Sequence, residues 1–94
     1  MSQRAQVTTK ICNRLGLHAR PAMSFVDTAS LFKSAVTVRR VDGPGEIVDG
    51  KSIMQMMMLA ATKGVELEII AEGEDAAQAC EALRKLVETG FDED

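Results

Sequence analysis

The single histidine of the chain, His18, lies in the segment NRLGLHARPAM at residues 13–23. A strand-like run ends there and a helix-like run begins. Pro21 suits the first turn of a helix, because the N–H that proline lacks would have no helical partner in that turn. We therefore expect His18 at the N-cap of this helix or just before it.

This position of His18 suits phosphoryl chemistry. A helix N-terminus binds anions, and the N–H groups of Ala19, Arg20 and Ala22 would point toward the ring. The Arg20 guanidinium adds a positive charge on a fork that fits phosphate oxygens. These surroundings disfavour imidazolium, and a neutral ring nitrogen is a good nucleophile. Gly16 would remove bulk beside the ring and leave room for a partner. We expect His18 to accept a phosphoryl group; the alternative is an ordinary solvated or capping histidine.

The composition indicates one small domain over residues 1–94, with 46% hydrophobic residues, which is enough to bury a core. A net charge of -3, 3% aromatic residues and no basic cluster denser than Arg39-Arg40 argue against nucleic-acid binding. Apolar runs stay well short of the ~20 residues of a membrane span, and the N-terminus does not resemble a signal peptide. We expect a soluble cytoplasmic protein without membrane insertion.

The two cysteines, Cys12 and Cys80, lie far apart, each inside a run that resembles a secondary-structure element. With one histidine and no CxxC motif, ligands at usable spacing for a metal are lacking, so we expect no metal and no cofactor. The favoured interpretation is two buried thiols in a reducing compartment.

Hydrophobic periodicity predicts the element order βαββαβα. Alternating runs predict strands at residues 5–11, 35–41, 46–49 and 65–71, and helical spacing predicts helices beginning near 18, 52 and 72, the last ending at 90. The acidic tail from about residue 91 would be frayed. The predicted class is α+β: an open-faced β-sandwich in which a four-stranded antiparallel sheet carries three helices on one face.

Each element has a predicted core face. One strand would place Val7, Thr9 and Ile11 on one face, and another would do the same with Val65, Leu67, Ile69 and Ala71. The helical pattern of the first helix would comprise Ala22, Phe25, Val26 and Ala29, closed by Leu31 and Phe32, and the stripe of the last would comprise Ala76, Ala79, Cys80, Leu83 and Leu86 or Val87.

The second helix start also carries a motif. Ser52 and Gln55 match a capping box, and phosphate added to Ser52 would suit the helix dipole. The methionines of the run 54–58 cannot all face the core. We expect some of them, with Ile53 and Met23, to form an apolar collar around His18 in which Met54 and Met57 dock partners. The plain alternative is that most of the run fills the core.

Several motifs together resemble one family. GLHARPA resembles the active-site signature of the HPr family, the histidine phosphocarriers of the sugar phosphotransferase system. DGKSIM, followed by LAATKG, resembles the regulatory-serine segment of that family, and AEGEDAAQACEAL resembles the start of its final helix. The similarity covers about residues 5–88 in the right order and spacing.

The resemblance implies a sheet order of 1-4-2-3 and assigns roles to three residues. His18 would be phosphorylated on Nδ1, Arg20 would be its charge partner, and Ser52 would be modified by an ATP-dependent HPr kinase/phosphorylase. Enzyme I would be the donor and the IIA domains of sugar permeases the acceptors. The chain would act as a monomeric carrier rather than as a stand-alone enzyme.

The chain departs from the family pattern at Gln55, where a glycine is most common, in its richer methionine run, and in a hairpin turn lengthened by GPG. These changes alter the docking face and leave the phosphoryl chemistry alone. Three alternatives remain: the nitrogen-related phosphocarrier branch, which generally lacks the serine segment; an acylphosphatase-like hydrolase that uses Arg20 and Asn13; and a regulatory relative, expected to lack the histidine.

Overall fold

The computed structural model describes residues 3–43 and 45–92. Its elements are, in chain order, β1 (Arg4–Lys10), α1 (Ala19–Ala29), β2 (Ala35–Arg40), β3 (Val48–Asp49), α2 (Ile53–Met58), β4 (Glu66–Glu72) and α3 (Ala76–Glu88), followed by a 3₁₀ turn at Gly90–Asp92. The strands form a 4-stranded antiparallel sheet in the order β1-β4-β2-β3. Both the predicted fold and the sheet order are confirmed.

Strand β4 lies in the middle of the sheet, between β1 and β2, and has two different faces. Leu67, Ile69 and Ala71 are buried against the helices, as their alternation predicted. On the other face Glu68 accepts hydrogen bonds from Arg39 Nε at 2.7 Å and Gln6 Nε2 at 2.8 Å. The helices cover only one face, which leaves the sheet open on the other.

The helices α1 and α3 pack against each other through their predicted stripes. Ala22, Phe25, Val26 and Ala29 are buried in α1, and Ala76, Ala79, Cys80, Leu83 and Val87 are buried in α3. The prediction for Leu31 was wrong: α1 ends at Ala29, and Leu31 is 80% exposed while Phe32 is half-buried.

Some predicted boundaries move. Strand β3 is limited to Val48–Asp49, with Ile47 exposed before it. Helix α3 starts at Ala76, after its N-cap Asp75, rather than at residue 72, since strand β4 continues to Glu72. Phe91 is buried, so the predicted frayed tail does not include Phe91, while Asp92 after it is exposed; residues 93–94 lie outside the described part.

The cysteines differ from the prediction of two buried thiols. Both are free, but Cys12 is exposed and Cys80 is buried. Cys12 lies beyond the end of β1, and its Sγ lies 3.3 Å from both Val87 O and Glu88 O at the end of α3. Burial raises the pKa of the Cys80 thiol, which keeps that group protonated and unreactive.

None of the helices within residues 3–43 and 45–92 combines the length and the apolar character needed to cross a membrane.

Candidate functional site

His18 is the N-cap of α1, with an extended backbone (φ -83°, ψ -169°), and it is half-buried. Its side chain makes no capping hydrogen bond to the helix. Ala19 and Arg20 follow as the first helical residues and are exposed. Their N–H groups precede the first position that has a helical carbonyl partner. The prediction that Ala22 would also offer its N–H to the ring was wrong, because this group donates to His18 O at 2.9 Å.

Gly16 serves the interior of the protein, contrary to the prediction that it leaves room for a partner. It is buried, with φ +72°, a conformation that favours glycine. A Cβ at this position would lie 2.6 Å from Ala61 O and 2.8 Å from Thr62 Cα. Gly16 therefore lets the loop before His18 pack against residues 61–62, and it cannot itself lie in a docking surface.

The loop 11–18 before α1 is tied to the loop that precedes β4. Ile11 N donates to Val65 O at 2.9 Å, and Gly64 N donates to Ile11 O at 2.8 Å. Leu17 N donates to Ala61 O at 2.8 Å, while the Leu17 side chain is buried. His18 thus extends from a loop that is held by backbone hydrogen bonds near both of its ends.

Asn13 is the residue that sequence reasoning placed only in the hydrolase alternative. It is 1% exposed, and its Nδ2 donates to Gly16 O at 2.7 Å. A buried amide is usually hydrogen-bonded for a structural or positioning reason. The sequence feature that could have indicated this role is an asparagine three residues before a glycine, in a segment between a strand and a helix.

Ser52 is the N-cap of α2, and its Oγ accepts a hydrogen bond from Gln55 N at 3.2 Å. The predicted capping box is only half formed. Gln55 Oε1 accepts from Asp49 N at 2.9 Å, whereas Ser52 N donates to Asp49 O at 3.1 Å. The glutamine therefore joins the start of α2 to the edge strand β3 instead of reaching back to Ser52.

The methionine run divides between core and surface. Met56 is fully buried. Met54 is 80% exposed, and Met57, Met58 and Ile53 are also exposed. On α1, which packs against α2, Met23 is exposed as well. The expectation that part of the run stays outside the core is therefore confirmed, and the docking role of these side chains remains a prediction.

The start of α1 combines two features that bear on the chemistry of His18. His18 supplies a ring nitrogen at the positive end of α1, and Arg20, two residues on, is exposed. Among residues 3–43 and 45–92, no three His, Cys, Asp or Glu side chains are grouped so that they could hold a metal ion.

Comparison with known proteins identifies the family of the chain. The family model described as "PTS HPr component phosphorylation site" matches residues 5–89. The chain belongs to the HPr family, the phosphocarriers of the phosphotransferase system. The resemblance carried by GLHARPA and DGKSIM is thereby confirmed.

Relatives in this family cover nearly the whole chain. It is 48% identical over 83 residues to phosphocarrier protein HPr of Pseudomonas putida, covering 88% of this chain and 90% of that one. It is 43% identical over 94 residues to phosphocarrier protein NPr of Proteus mirabilis, covering 100% of both. The crystal structure of HPr-C-His from Thermoanaerobacter tengcongensis superimposes with a TM-score of 0.87 at 42% identity, covering 96% of this chain and 98% of that one.

Proposed function

We propose that His18 is the residue that carries the phosphoryl group. In this proposal Nδ1 of His18 attacks the phosphorus of phospho-enzyme I, the new N–P bond forms as the bond to the donor breaks, and an acceptor IIA domain of a sugar permease later takes the group. The observation that carries the proposal is the half-buried His18 at the N-cap of α1, with exposed Arg20 two residues on.

The start of α1 suits the charge of the product. Phosphorylation places about two negative charges on the ring. The N–H groups of Ala19 and Arg20 lie at the positive end of the helix, where an anion is stabilised. The Arg20 guanidinium supplies two parallel N–H donors that match phosphate oxygens. Arg20 would lower the barrier to transfer by neutralising charge on the group that moves.

The exposed apolar side chains of α1 and α2, two helices that pack together, support a role in docking. Met23 on α1 and Ile53, Met54 and Met57 on α2 are exposed. Because methionine is flexible, one such surface adapts to several partners, as a carrier between a donor and several acceptors requires. We assign this surface to enzyme I and the IIA domains, in the cytoplasm, with the chain acting as a monomer.

The test is incubation with enzyme I and phosphoenolpyruvate, followed by mass spectrometry at neutral and acid pH. One phosphoryl group should appear, disappear in acid because phosphohistidine is acid-labile, and be absent from His18→Ala. Uptake of phosphate by His18→Ala would overturn the site assignment. Arg20→Ala should slow onward transfer while the thermal midpoint stays unchanged; an unfolded Arg20→Ala chain would show that Arg20 is structural.

We further propose that Ser52 is the target of an HPr kinase/phosphorylase. Its N-cap position supports this role, because a phosphate there lies at the positive end of α2 and would leave the fold intact. The same phosphate would lie beside Ile53 and Met54, so a docked partner would have to desolvate it. Kinase and ATP should add one acid-stable phosphate that Ser52→Ala lacks, and the modified chain should accept phosphoryl groups from enzyme I more slowly.

Relatives from both branches leave a second candidate, the nitrogen-related phosphotransferase system. The similarity to the NPr of Proteus mirabilis favours it, whereas the GKSIM segment around Ser52 favours the sugar branch. Onward transfer from the phosphorylated chain to a purified sugar IIA domain and to a nitrogen-branch IIA protein, measured side by side, decides between them. We expect the sugar IIA domain to be phosphorylated faster.

A further inference from the structure

We propose that Asn13 is a positioning residue for the phosphoryl-transfer reaction and acts on His18 through the carbonyl of Gly16. This inference rests on the proposed function of His18. The observation behind it is a polar side chain with 1% exposure that donates from Nδ2 to Gly16 O at 2.7 Å, two residues before the histidine.

The Gly16 carbonyl is shared between Asn13 and His18. A carbonyl oxygen has two lone pairs. Here one donor is Asn13 Nδ2 at 2.7 Å and the other is the His18 main-chain N–H at 3.0 Å. A second bond, from Gly16 N to Asn13 O at 3.2 Å, closes the turn between the two residues. The position of the His18 backbone therefore depends on an oxygen that Asn13 holds.

The peptide group between Gly16 and Leu17 is held at both ends. Its oxygen accepts from Asn13, and its N–H, on Leu17, donates to Ala61 O at 2.8 Å. Without the Asn13 amide, this peptide keeps the Ala61 bond but loses the buried donor that fixes the direction of its carbonyl. The ring would then approach a donor phosphorus from a wider range of directions, and small misplacements of a nucleophile slow a reaction strongly.

Asn13 lies outside the surface that partners reach, because its side chain is buried and the proposed docking residues lie on α1 and α2. Its loss should therefore change the rate of the chemical step more than the affinity for enzyme I. A lower kcat with an unchanged KM therefore distinguishes a positioning role from a docking role. It also separates positioning from partial unfolding, which lowers the concentration of competent carrier and so raises the apparent KM.

The test compares Asn13→Ala with the unmodified chain as carriers in the enzyme I reaction. We expect kcat for phosphorylation of His18 to fall roughly tenfold to a hundredfold, with KM for the carrier nearly unchanged. The matched control is Ser34→Ala. Ser34 is also fully buried, beyond the far end of α1, and its Oγ bonds Asp75 Oδ1 at 2.5 Å. That variant should lose stability and keep its kcat.

Each result decides a different statement. A wild-type kcat in folded Asn13→Ala overturns the positioning role alone. A kcat that falls equally in Ser34→Ala also overturns it, because lost stability then explains both variants. An unmodified chain that takes no phosphoryl group on His18 overturns the proposed function, and the positioning role with it.

A measurement on the unmodified chain keeps the inference testable if Asn13→Ala does not fold. Hydrogen exchange of side-chain amides, followed by NMR, should be far slower for Asn13 than for exposed Gln78. Equal exchange rates would show that the bond to Gly16 does not persist, and would overturn the inference.

Discussion

The N-caps of α1 and α2 share one backbone conformation but differ in their side-chain hydrogen bonds. His18 and Ser52 both adopt the extended backbone of an N-cap. Ser52 Oγ accepts the N–H of Gln55, whereas the His18 side chain makes no such bond. The position three residues after the N-cap is Gln55 in α2 and Pro21 in α1, and proline has no N–H to donate. A capping side chain at His18 would therefore lack one of its usual donors.

The capped start of α2 contributes to stability, whereas the uncapped start of α1 suits the proposed binding of a phosphoryl group. In α2 one of the first N–H groups is satisfied by a side chain, which stabilises a helix of only 6 residues. In α1 the proline removes one N–H at no cost to helical bonding. The N–H groups of Ala19 and Arg20 precede the first one with a helical carbonyl partner, which suits the proposed binding of a phosphoryl group. The longer α1, of 11 residues with its apolar face buried, does not need a cap to form.

The largest expected effect comes from the loop that presents His18. Gly16→Ala should destabilise the chain by about 3 kcal/mol, because an alanine at φ +72° is strained and its Cβ would lie 2.6 Å from Ala61 O. Phosphorylation of His18 by enzyme I should slow as well, since the clash displaces the loop. Urea unfolding and the enzyme I assay measure the two effects.

Gly64→Ala is the matched control for Gly16→Ala. Gly64 also has a positive φ, +95°, but a Cβ there would meet no atom within 4 Å. Strain alone should then cost about 1 kcal/mol and leave the phosphorylation rate unchanged. Equal losses of stability in the two variants would show that the contact with Ala61 is not what requires Gly16.

The next prediction addresses the two caps directly. Ser52→Ala should lower the free energy of unfolding by about 1 kcal/mol, because the N–H of Gln55 loses its partner. His18→Ala should leave the bonding at the start of α1 unchanged, since its side chain makes no capping bond to the helix, and should cost less than Ser52→Ala. Urea unfolding of both variants measures the difference. A His18→Ala chain that is destabilised as much as Ser52→Ala would contradict the division of roles between the two helix ends.

Local pattern was enough to predict most of the fold. The burial of Phe25, Val26 and Leu83 follows from helical spacing, and that of Leu67 and Ile69 from alternation, because each element must turn its apolar face to the same core. The place of His18 at a helix start followed from Pro21, whose chemistry is local. Leu31 was misplaced because the helix ends two residues before it, and apolar spacing alone does not reveal an end.

The errors at the site have a common physical cause. Gly16 is needed because of Ala61, and the side chain of Gln55 bonds Asp49 rather than Ser52. The first depends on a residue that is distant in the sequence and that the fold brings close. The second depends on how β3 lies beside the start of α2, and apolar periodicity encodes neither arrangement. The positioning role of Asn13 escaped for the same reason, since its burial depends on how the loop packs.

The smallest expected effect concerns the start of α3, where the side chain of the N-cap Asp75 makes no capping bond to its own helix. The carboxylate of Asp75 accepts from Ser34 Oγ at 2.5 Å and from Lys33 N at 2.8 Å. These bonds lower the pKa of Asp75 from its ordinary value of 3.8, and the bond from the Ser34 hydroxyl contributes most. The folded chain thus binds this proton less readily than the unfolded chain. The stabilisation is complete above the unfolded pKa and is lost as the pH falls through the lower folded pKa.

Asp75→Asn should therefore flatten the fall in unfolding free energy as the solution is acidified from about pH 5 to pH 2, measured by urea unfolding at each pH. Glu74→Gln is the control, because its ion pair with Lys33 is exposed on both sides and contributes little. Equal pH slopes in Asp75→Asn and the unmodified chain would contradict the assignment. At neutral pH, phosphorylation of His18 should be unchanged in both variants, since the Asp75 bonds lie beyond the opposite end of α1.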